Sequence, residues 1–511
     1  MATPRGAWAF SGVLAGLAGL ATSHVAAMWL TIRDGPFVAV GQLVVRLTPG
    51  PVTEQAIGVL GSRNKLVLVM VLGLILLALF AYAGHLARRH WWRAVLVYAA
   101  RAGVGVVAAL WRRGAEAIDL LPVVIGLMTW LVALAILTVP LQAEHAGRSA
   151  AAGGTHRRPF LVRAGVVVAL ATGGTLVGNL VGRRRRRVEE TRRLLRLPMT
   201  MREVSPRFRV DDPPEGLTPW RTPNESFYRI HTALVVPTID PTEWTLRIHG
   251  MVDREVVLTY RDLLRRPRAE AWLTLNCVSN EVGGDLVGNA WWSGVRVADL
   301  LAEAGVQAGA DAVLQTSEDG WNCATPLEVL TDERDALLAY GMNSQPLPLD
   351  HGFPVRTIVP GLYGYVSACK WVVDLEVTRF DRVEAYWTQR GWGEQGPVKV
   401  ASRIDVPAPG QSVPAGTVRA AGVAWFQHTG IAAVEVQLDG GAWQRAELGG
   451  VPSTDTWVQW VVDLEAEPGE HLLRVRAIDR RGAEQTGIVR DVLPDGATGW
   501  HEIEFTAQEE T

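Results

Sequence analysis

"TLNCVSNEVGGDLVGNAWWSGV", residues 274–295, holds one of only three cysteines in a chain of 511 residues. The run "AWLTLNC" (271–277) has strand character and delivers Cys277 to the strand's end. Gly283, Gly284 and Gly288 follow in the next loop, and glycine lets a ligand come close to the backbone. Thiolate is a soft metal donor. Zinc is disfavoured, because no other Cys or His stands at short ligand spacing. From the residues alone three readings of Cys277 stay open: a metal ligand, a nucleophile whose base cannot be assigned, or a buried structural thiol.

The surrounding segments predict a mixed α+β domain over residues 186–395. "TEWTLRIHG" (242–250) reads as a strand. "VVLTYRDLLRR" (256–266) reads as a strand edge and a short helix, and "VRVADLLAEAGV" (295–306) as an amphipathic helix. "DAVLQTS" (311–317) is strand-like, and "PLEVLTDERDALLAY" (326–340) has helical character. "FPVRTIVP" (353–360) and "KWVVDLEVTRF" (370–380) read as strands. There is no Rossmann or P-loop signature. From residue 396 to 511 short alternating runs and a hairpin signal at "DGG" (439–441) predict an all-β domain of immunoglobulin-like size. That region concentrates no His, Cys or carboxylate set, so a packing or dimerisation role is its plainest reading.

Residues 1–185 predict an all-α transmembrane module of about five helices. Apolar stretches at 8–30, 66–84, 120–139 and 160–181 are long enough to span a bilayer. A weaker stretch at 94–111 contains Arg101, which would snorkel or face the bundle interior. Residues 37–60 read as a loop or short interfacial helix. Arginines 88, 89 and 93 place the second loop inside, whereas "RRRRR" (183–187) argues for the opposite sidedness of the chain beyond residue 181. "HRRPFLV" (156–162) resembles a twin-arginine export signal, with Arg157 and Arg158 as its pair. Export of a folded domain favours a bacterial multi-pass membrane protein with its soluble region outside the cytoplasm. The net charge of −2 gives no argument for nucleic acid, and three cysteines cannot make a disulfide framework.

Residues 220–395 resemble the sulfite oxidase family of molybdenum–pterin enzymes. The likeness rests on "NESFYRIH" (224–231), on "LNC" (275–277) with "GNAWWSGVRVADLL" (288–301), and on "HGFPVRTIVPGLYGYVSACKW" (351–371). "PDGATGWHEIEF" (494–505) is similar to part of that family's immunoglobulin-like dimerisation domain. The resemblance implies molybdenum–molybdopterin as cofactor, with Cys277 as the sole protein thiolate on the metal. It implies that Asn224, Tyr228, His231, His351, Arg356 and Lys370 line the anionic pterin or its phosphate. Arg229 would stand at the oxyanion-binding face, and Thr316 and Ser317 would donate hydrogen bonds to the cofactor. The chemistry implied is two-electron oxygen-atom transfer on sulfite or a related small sulfur compound.

The departures widen the choice. Val278, Ser279, Asn280 and Glu281 follow Cys277, where the family has arginines, and Trp392 stands near the place of a family tyrosine. Reduction of an S-oxide such as methionine sulfoxide is therefore the alternative, with a membrane scaffold that has lost the metal, or a transporter, as readings of another class. Expected partners are a small sulfur-containing or oxyanion substrate, membrane lipid, a cytochrome or quinone redox partner, and a second copy through the C-terminal domain. His24 and His85 are the candidates for a haem in the membrane module. Cys323 and Cys369 would be free to pair in an exported domain.

Overall fold

The computed structural model describes residues 5–30, 32, 35–60, 63–111, 115–145, 162–165, 183–197, 199–200 and 203–509. Most of the apolar segment 160–181, with Arg157 and Arg158, lies outside the described residues. Two compact units form: Met1–Glu190 with Thr232–Val236, and Thr191–His231 with Pro237–Thr511.

The first unit is helical: α1 (Arg5–Trp29), α2 (Pro36–Leu47), α3 (Gly50–Leu60), α4 (Asn64–Ala87), α5 (Trp91–Leu110) and α6 (Leu121–His145). Among the described residues, α1, α4, α5 and the helical stretch ending in α6 are long and apolar enough to cross a membrane. The expected loop at 37–60 is instead α2 and α3. Pro36 occupies the first turn of α2 and Pro51 that of α3, where a missing N–H breaks no intrahelical bond.

Small residues decide how these helices pack. A Cβ on Gly12 of α1 would strike the Phe80 carbonyl and the Gly84 backbone of α4, and one on Gly19 would strike Trp130 of α6. The glycines thus let backbones approach as small residues do in membrane helix pairs. Gly12→Leu is expected to lower the thermal midpoint in detergent, since overpacking alone costs about 1–3 kcal/mol. An unchanged midpoint would refute the contact.

Arg101 faces the bundle interior. Its guanidinium lies 5.0 Å from the Phe80 ring centre and 5.2 Å from that of Trp130. The histidines behave differently from expectation. Gly12 meets Gly84 and Gly16 meets Phe80, so α1 and α4 run antiparallel. That register sets His85 beside position 11 and leaves His24 about 20 Å further along α1, at 1.5 Å per residue. The two cannot ligate one haem together.

In the second unit, five strands order as β2-β1-β10-β5-β6. They are β1 (Thr245–Gly250), β2 (Val256–Thr259), β5 (Ala312–Ser317), β6 (Asn322–Pro326) and β10 (Val372–Thr378). A second sheet orders as β3-β4-β7-β8, with β9 also on β7. Its strands are β3 (Ala269–Asn276), β4 (Val287–Arg296), β7 (Leu337–Met342), β8 (Gln345–Pro346) and β9 (Arg356–Ile358). The expected helix at 326–340 is corrected. Only Leu327–Thr331 is helical, and Leu337–Met342 is a buried strand between β4 and β9. A short apolar run buried on both faces carries no period that separates strand from helix.

The C-terminal region is a sandwich of two sheets. One orders as β11-β13-β17-β16 and the other as β12-β19-β18-β14-β15. The strands are β11 (Ala401–Val406), β12 (Ser412–Pro414), β13 (Gly416–Trp425), β14 (Ile431–Leu438), β15 (Gln444–Arg445), β16 (Glu447–Leu448), β17 (Val458–Ala466), β18 (Gly469–Asp479) and β19 (His501–Gln508). Val418, Ala420 and Trp460 of one sheet share a core with Val434, Val475 and Phe505 of the other. Asp439 and Gly440 take φ of 49° and 72°, the double left-handed turn that the "DGG" signal predicts.

Candidate functional site

Three chain segments converge around Cys277. The first is β3 and the loop after it. The Cys277 N–H donates to the Leu286 carbonyl at 2.9 Å, and Asn280 Oδ1 accepts the Leu286 N–H at 2.8 Å, which closes the loop. Burial pushes the thiol up. The Ser279 N–H and hydroxyl, the Lys370 ammonium and the Val278 N–H all pull the other way, toward thiolate. Burial is the larger effect, so the thiol is protonated in the cofactor-free protein, and the donors and cation around it are those that would favour thiolate on a bound metal.

The C-terminal sandwich holds this segment from outside, a role the sequence reading missed. Gln427 Nε2 donates to the Thr274 carbonyl at 3.0 Å and to Asn276 Oδ1 at 3.2 Å. The Trp457 N–H donates to Thr274 Oγ1 at 2.8 Å. Arg403 Nη1 donates to the Gly284 carbonyl at 2.9 Å. Strand and loop on either side of Cys277 are thus fixed by residues more than a hundred positions away. A charged or amide residue in an all-β run gives no sign of such a partner.

The second segment runs from 349 to 371. A single turn at Leu349–His351 ends at Gly352, whose φ is 109°. A Cβ there would stand 3.0 Å from Arg356 Cβ and 3.2 Å from Lys370 Cα, so only glycine lets these two cations share the turn. Arg356 is 2% exposed and packs its guanidinium 5.4 Å from the Trp292 ring centre. It donates to the carbonyls of His351 at 3.2 Å, Thr357 at 3.4 Å and Ala368 at 3.5 Å. Among the described residues no carboxylate lies within ion-pair distance of it. Burial pulls its pKa down to about 10. Lys370 Nζ donates to the Asp350 carbonyl at 2.9 Å.

The third segment is 224–231. Asn224 is a brace: its carbonyl accepts from His351 Nε2 at 3.1 Å, and its Oδ1 accepts from Asn343 at 2.8 Å. Tyr228 stacks on Phe227 and has Cys277 and Arg356 as electrostatic neighbours. Burial raises its pKa well above the ordinary value. His231 meets Trp371 edge to face at 5.7 Å. Arg229 is half-exposed and pairs with Asp350 at 3.2 Å, so Asp350 ties the first cation of this segment to Lys370 of the second. Asp350 escaped the sequence reading because an acid in a cation-rich motif reads as a solvated neighbour.

The structure therefore brings Cys277, Tyr228, His351, Arg356 and Lys370 together, with Asn224, Arg229 and His231 at their edge. Thr316 and Ser317 stand on β5. Thr316 pairs with Asp374 and Asn322 across the sheet, and Ser317 pairs with Val372. The Ser317 hydroxyl is buried without a partner. Glu281 points to solvent. Trp392 packs its ring 5.8 Å from Tyr365.

His351 supplies a test of the site's polarity. Its Nε2 carries the proton donated to Asn224, which leaves Nδ1 a buried acceptor without a partner. Burial first, then Lys370 and Arg356, push its pKa down from 6.5 to about 3. Between those values the unfolded chain binds a proton that the folded one does not. The stabilisation is complete above pH 6.5 and is lost as the pH falls toward 3. The unfolding free energy of cofactor-free protein, from denaturant titrations, is expected to drop on the order of 4 kcal/mol across that window, and His351→Asn to flatten this part of the profile. Parallel profiles for the two proteins would contradict the assignment.

The donor set fits an anionic, hydrogen-bonding cofactor held by one thiolate. Among the described residues Arg356 is a buried cation without a counterion, His351 Nδ1 is an orphaned polar atom, and Lys370 stands beside them. The profile of the family described as "Oxidoreductase molybdopterin binding domain" matches residues 233–387. The uncharacterized oxidoreductase YuiH of Bacillus subtilis is 34% identical over 188 residues, which cover 37% of this chain and 91% of that protein. The chain belongs to the molybdopterin-binding oxidoreductase family. Human mitochondrial sulfite oxidase is 32% identical over 355 residues, or 58% of this chain, and the chain spans 64% of that relative's length. The solved sulfane dehydrogenase SoxCD of Paracoccus pantotrophus superposes with a TM-score of 0.50 at 25% identity, covering 56% of this chain and 81% of that one. The family domain is thus of the sulfite oxidase type, and molybdenum–molybdopterin is the cofactor it implies.

Proposed function

We propose that this protein is a membrane-anchored molybdenum–pterin oxidoreductase acting on sulfite or a related small sulfur compound. The single observation that carries the reading is the buried Arg356, with no counterion among the described residues, standing with His351 and Lys370 near the Cys277 thiol. Buried charges are paired in stable proteins, so an anion belongs there. Arginine's planar fork suits a phosphate, and the cofactor's phosphate or pterin oxygens are the anions the family implies. The bound cofactor supplies two-electron oxygen-atom transfer, and the protein supplies the rest. Cys277 holds the metal through its thiolate, with Lys370 favouring the anionic sulfur. Arg356 and Lys370 neutralise the cofactor, and His351 accepts a hydrogen bond at Nδ1. Tyr228 offers a hydroxyl proton next to the sulfur. Arg229, at the half-exposed edge, meets the entering oxyanion. Two relatives named for sulfite and sulfane oxidation support a sulfur substrate.

A second reading is reduction of an S-oxide. It is favoured by the pairing of Arg229 with Asp350 and by Glu281 on the solvent side of the metal loop, which lower the positive charge at the entrance. Sulfite-dependent reduction of a one-electron dye, set against methionine-sulfoxide-dependent oxidation of a reduced viologen, separates the two. Turnover in neither assay by molybdenum-loaded protein would reject both.

The anchoring rests on α1, α4, α5 and α6, whose outward faces expose Leu66, Met70, Leu74, Val107, Val132 and Ile136. Such a surface suits lipid better than water. The catalytic region lies outside the bacterial cytoplasm in this reading, exported through Arg157 and Arg158, and a quinone or cytochrome exchanges its electrons. The C-terminal sandwich, of immunoglobulin-like type, is the dimerisation surface. Fusions that fluoresce or acquire alkaline phosphatase activity at the C-terminus report the sidedness directly.

A further inference from the structure

We propose that Cys323 and Cys369 form a disulfide behind the cofactor cradle, closed by exchange with a disulfide oxidant. Cys323 on β6 stands directly opposite Gln315 of β5. Residues opposite each other in a sheet turn their side chains to the same face. The Gln315 amide oxygen accepts the Thr357 hydroxyl at 2.5 Å, and Thr357 Oγ1 accepts the Cys369 N–H at 2.8 Å. The Thr357 N–H in turn donates to the Cys369 carbonyl at 3.0 Å. This bridge sets the Cys369 backbone against the face that Cys323 occupies, and the two thiols, free in this structure, are electrostatic neighbours, with Cys369 Sγ donating to the Lys370 carbonyl at 3.7 Å. Both are 0% exposed.

The place of the pair gives it a consequence. Cys369 sits between Ala368, whose carbonyl receives Arg356, and Lys370. Both cradle cations therefore hang on the residue that the bond would tie to β6. A second link crosses the same gap, from the Thr325 hydroxyl of β6 to the Val366 carbonyl. With Cys277 committed to the metal, the bond would use the chain's other two cysteines.

The chemistry balances. Each thiol gives up its proton, the pair gives up two electrons, and one S–S bond forms. A small-molecule or protein disulfide accepts both electrons and both protons and leaves as two thiols. Burial and the Cys323 neighbour push the Cys369 thiol well up, so little thiolate exists in the closed fold. Exchange therefore happens while the 366–371 segment is open, and the closed fold then shields the bond from reductants. The supply of oxidant rests on the extracytoplasmic placement proposed above; the pairing of the sulfurs does not.

The test uses full-length protein in detergent, held with oxidised glutathione just below its unfolding midpoint, then denatured, alkylated and digested without reductant. The expected result is a linked Cys323–Cys369 peptide lighter by two hydrogens, with Cys277 alone alkylated. Alkyl label or a glutathione adduct on Cys323 and Cys369 would overturn the proposal. Dithiothreitol should then lower the thermal midpoint of oxidised wild type and leave that of Cys323→Ala unmoved. An equal response of both proteins would overturn the bracing role. Neither readout depends on molybdenum content, substrate or compartment, so failure here is distinct from failure of the proposed function.

Discussion

Cys277→Ser is expected to leave a folded protein without bound molybdenum. Serine keeps the size of the group and the donors from Val278 and Ser279, but its hydroxyl is a hard, high-pKa ligand where the site is tuned for soft thiolate. Loss of an outer-shell partner alone costs about 10–100-fold in metal affinity, so loss of the ligand itself should exceed that. The measurement is metal content by mass spectrometry with the pterin assayed separately. Pterin retained on Arg356 and Lys370 while the metal is lost would fit the division of labour in the site. Stoichiometric molybdenum in the serine variant would remove Cys277 from the metal and leave it a buried structural thiol.

Much of this site was legible because its residues sit in contiguous motifs. Cys277 falls at a strand end as the strand character of 271–277 predicts, and the 351–371 stretch brings Arg356 and Lys370 against Gly352, next to His351. What escaped was long-range. Gln427, Trp457 and Arg403 reach the Cys277 strand and loop from a sandwich that, by composition, looks inert. Sequence spacing cannot report contacts set by how two layers pack. The register of β5 sets Thr316 and Ser317 between β6 and β10, with Ser317 opposite Val372, two residues from Lys370.

In the helical unit the long apolar helices were legible from hydropathy, whereas their pairing was not. His24 and His85 stand on two apolar helices, and only the antiparallel register fixed by Gly12 and Gly84 shows that they are far apart. The glycines carried that information. A single sequence shows where close approach is allowed, but not which helix makes it.

Arg356→Met should act with opposite sign on the two forms of the protein. In the cofactor-free chain Arg356 is a buried cation held by the Trp292 ring and, among the described residues, by three long carbonyl contacts at 3.2, 3.4 and 3.5 Å. Methionine fills similar length without a charge, so apo stability should rise by about 1–4 kcal/mol, as when a poorly compensated buried charge gives way to an apolar group. In the loaded protein the same change removes the cofactor's buried cation, which costs about 2–5 kcal/mol in retention. Arg356→Lys should not restore retention, because a point ammonium cannot reproduce two parallel donors to one phosphate. Denaturant midpoints of apo protein and cofactor dissociation rates of holo protein decide the matter together. A stabilised apo form with fast cofactor loss marks Arg356 as a binding group. A destabilised apo form with unchanged retention would make it a structural residue and take the central observation away from the proposed function.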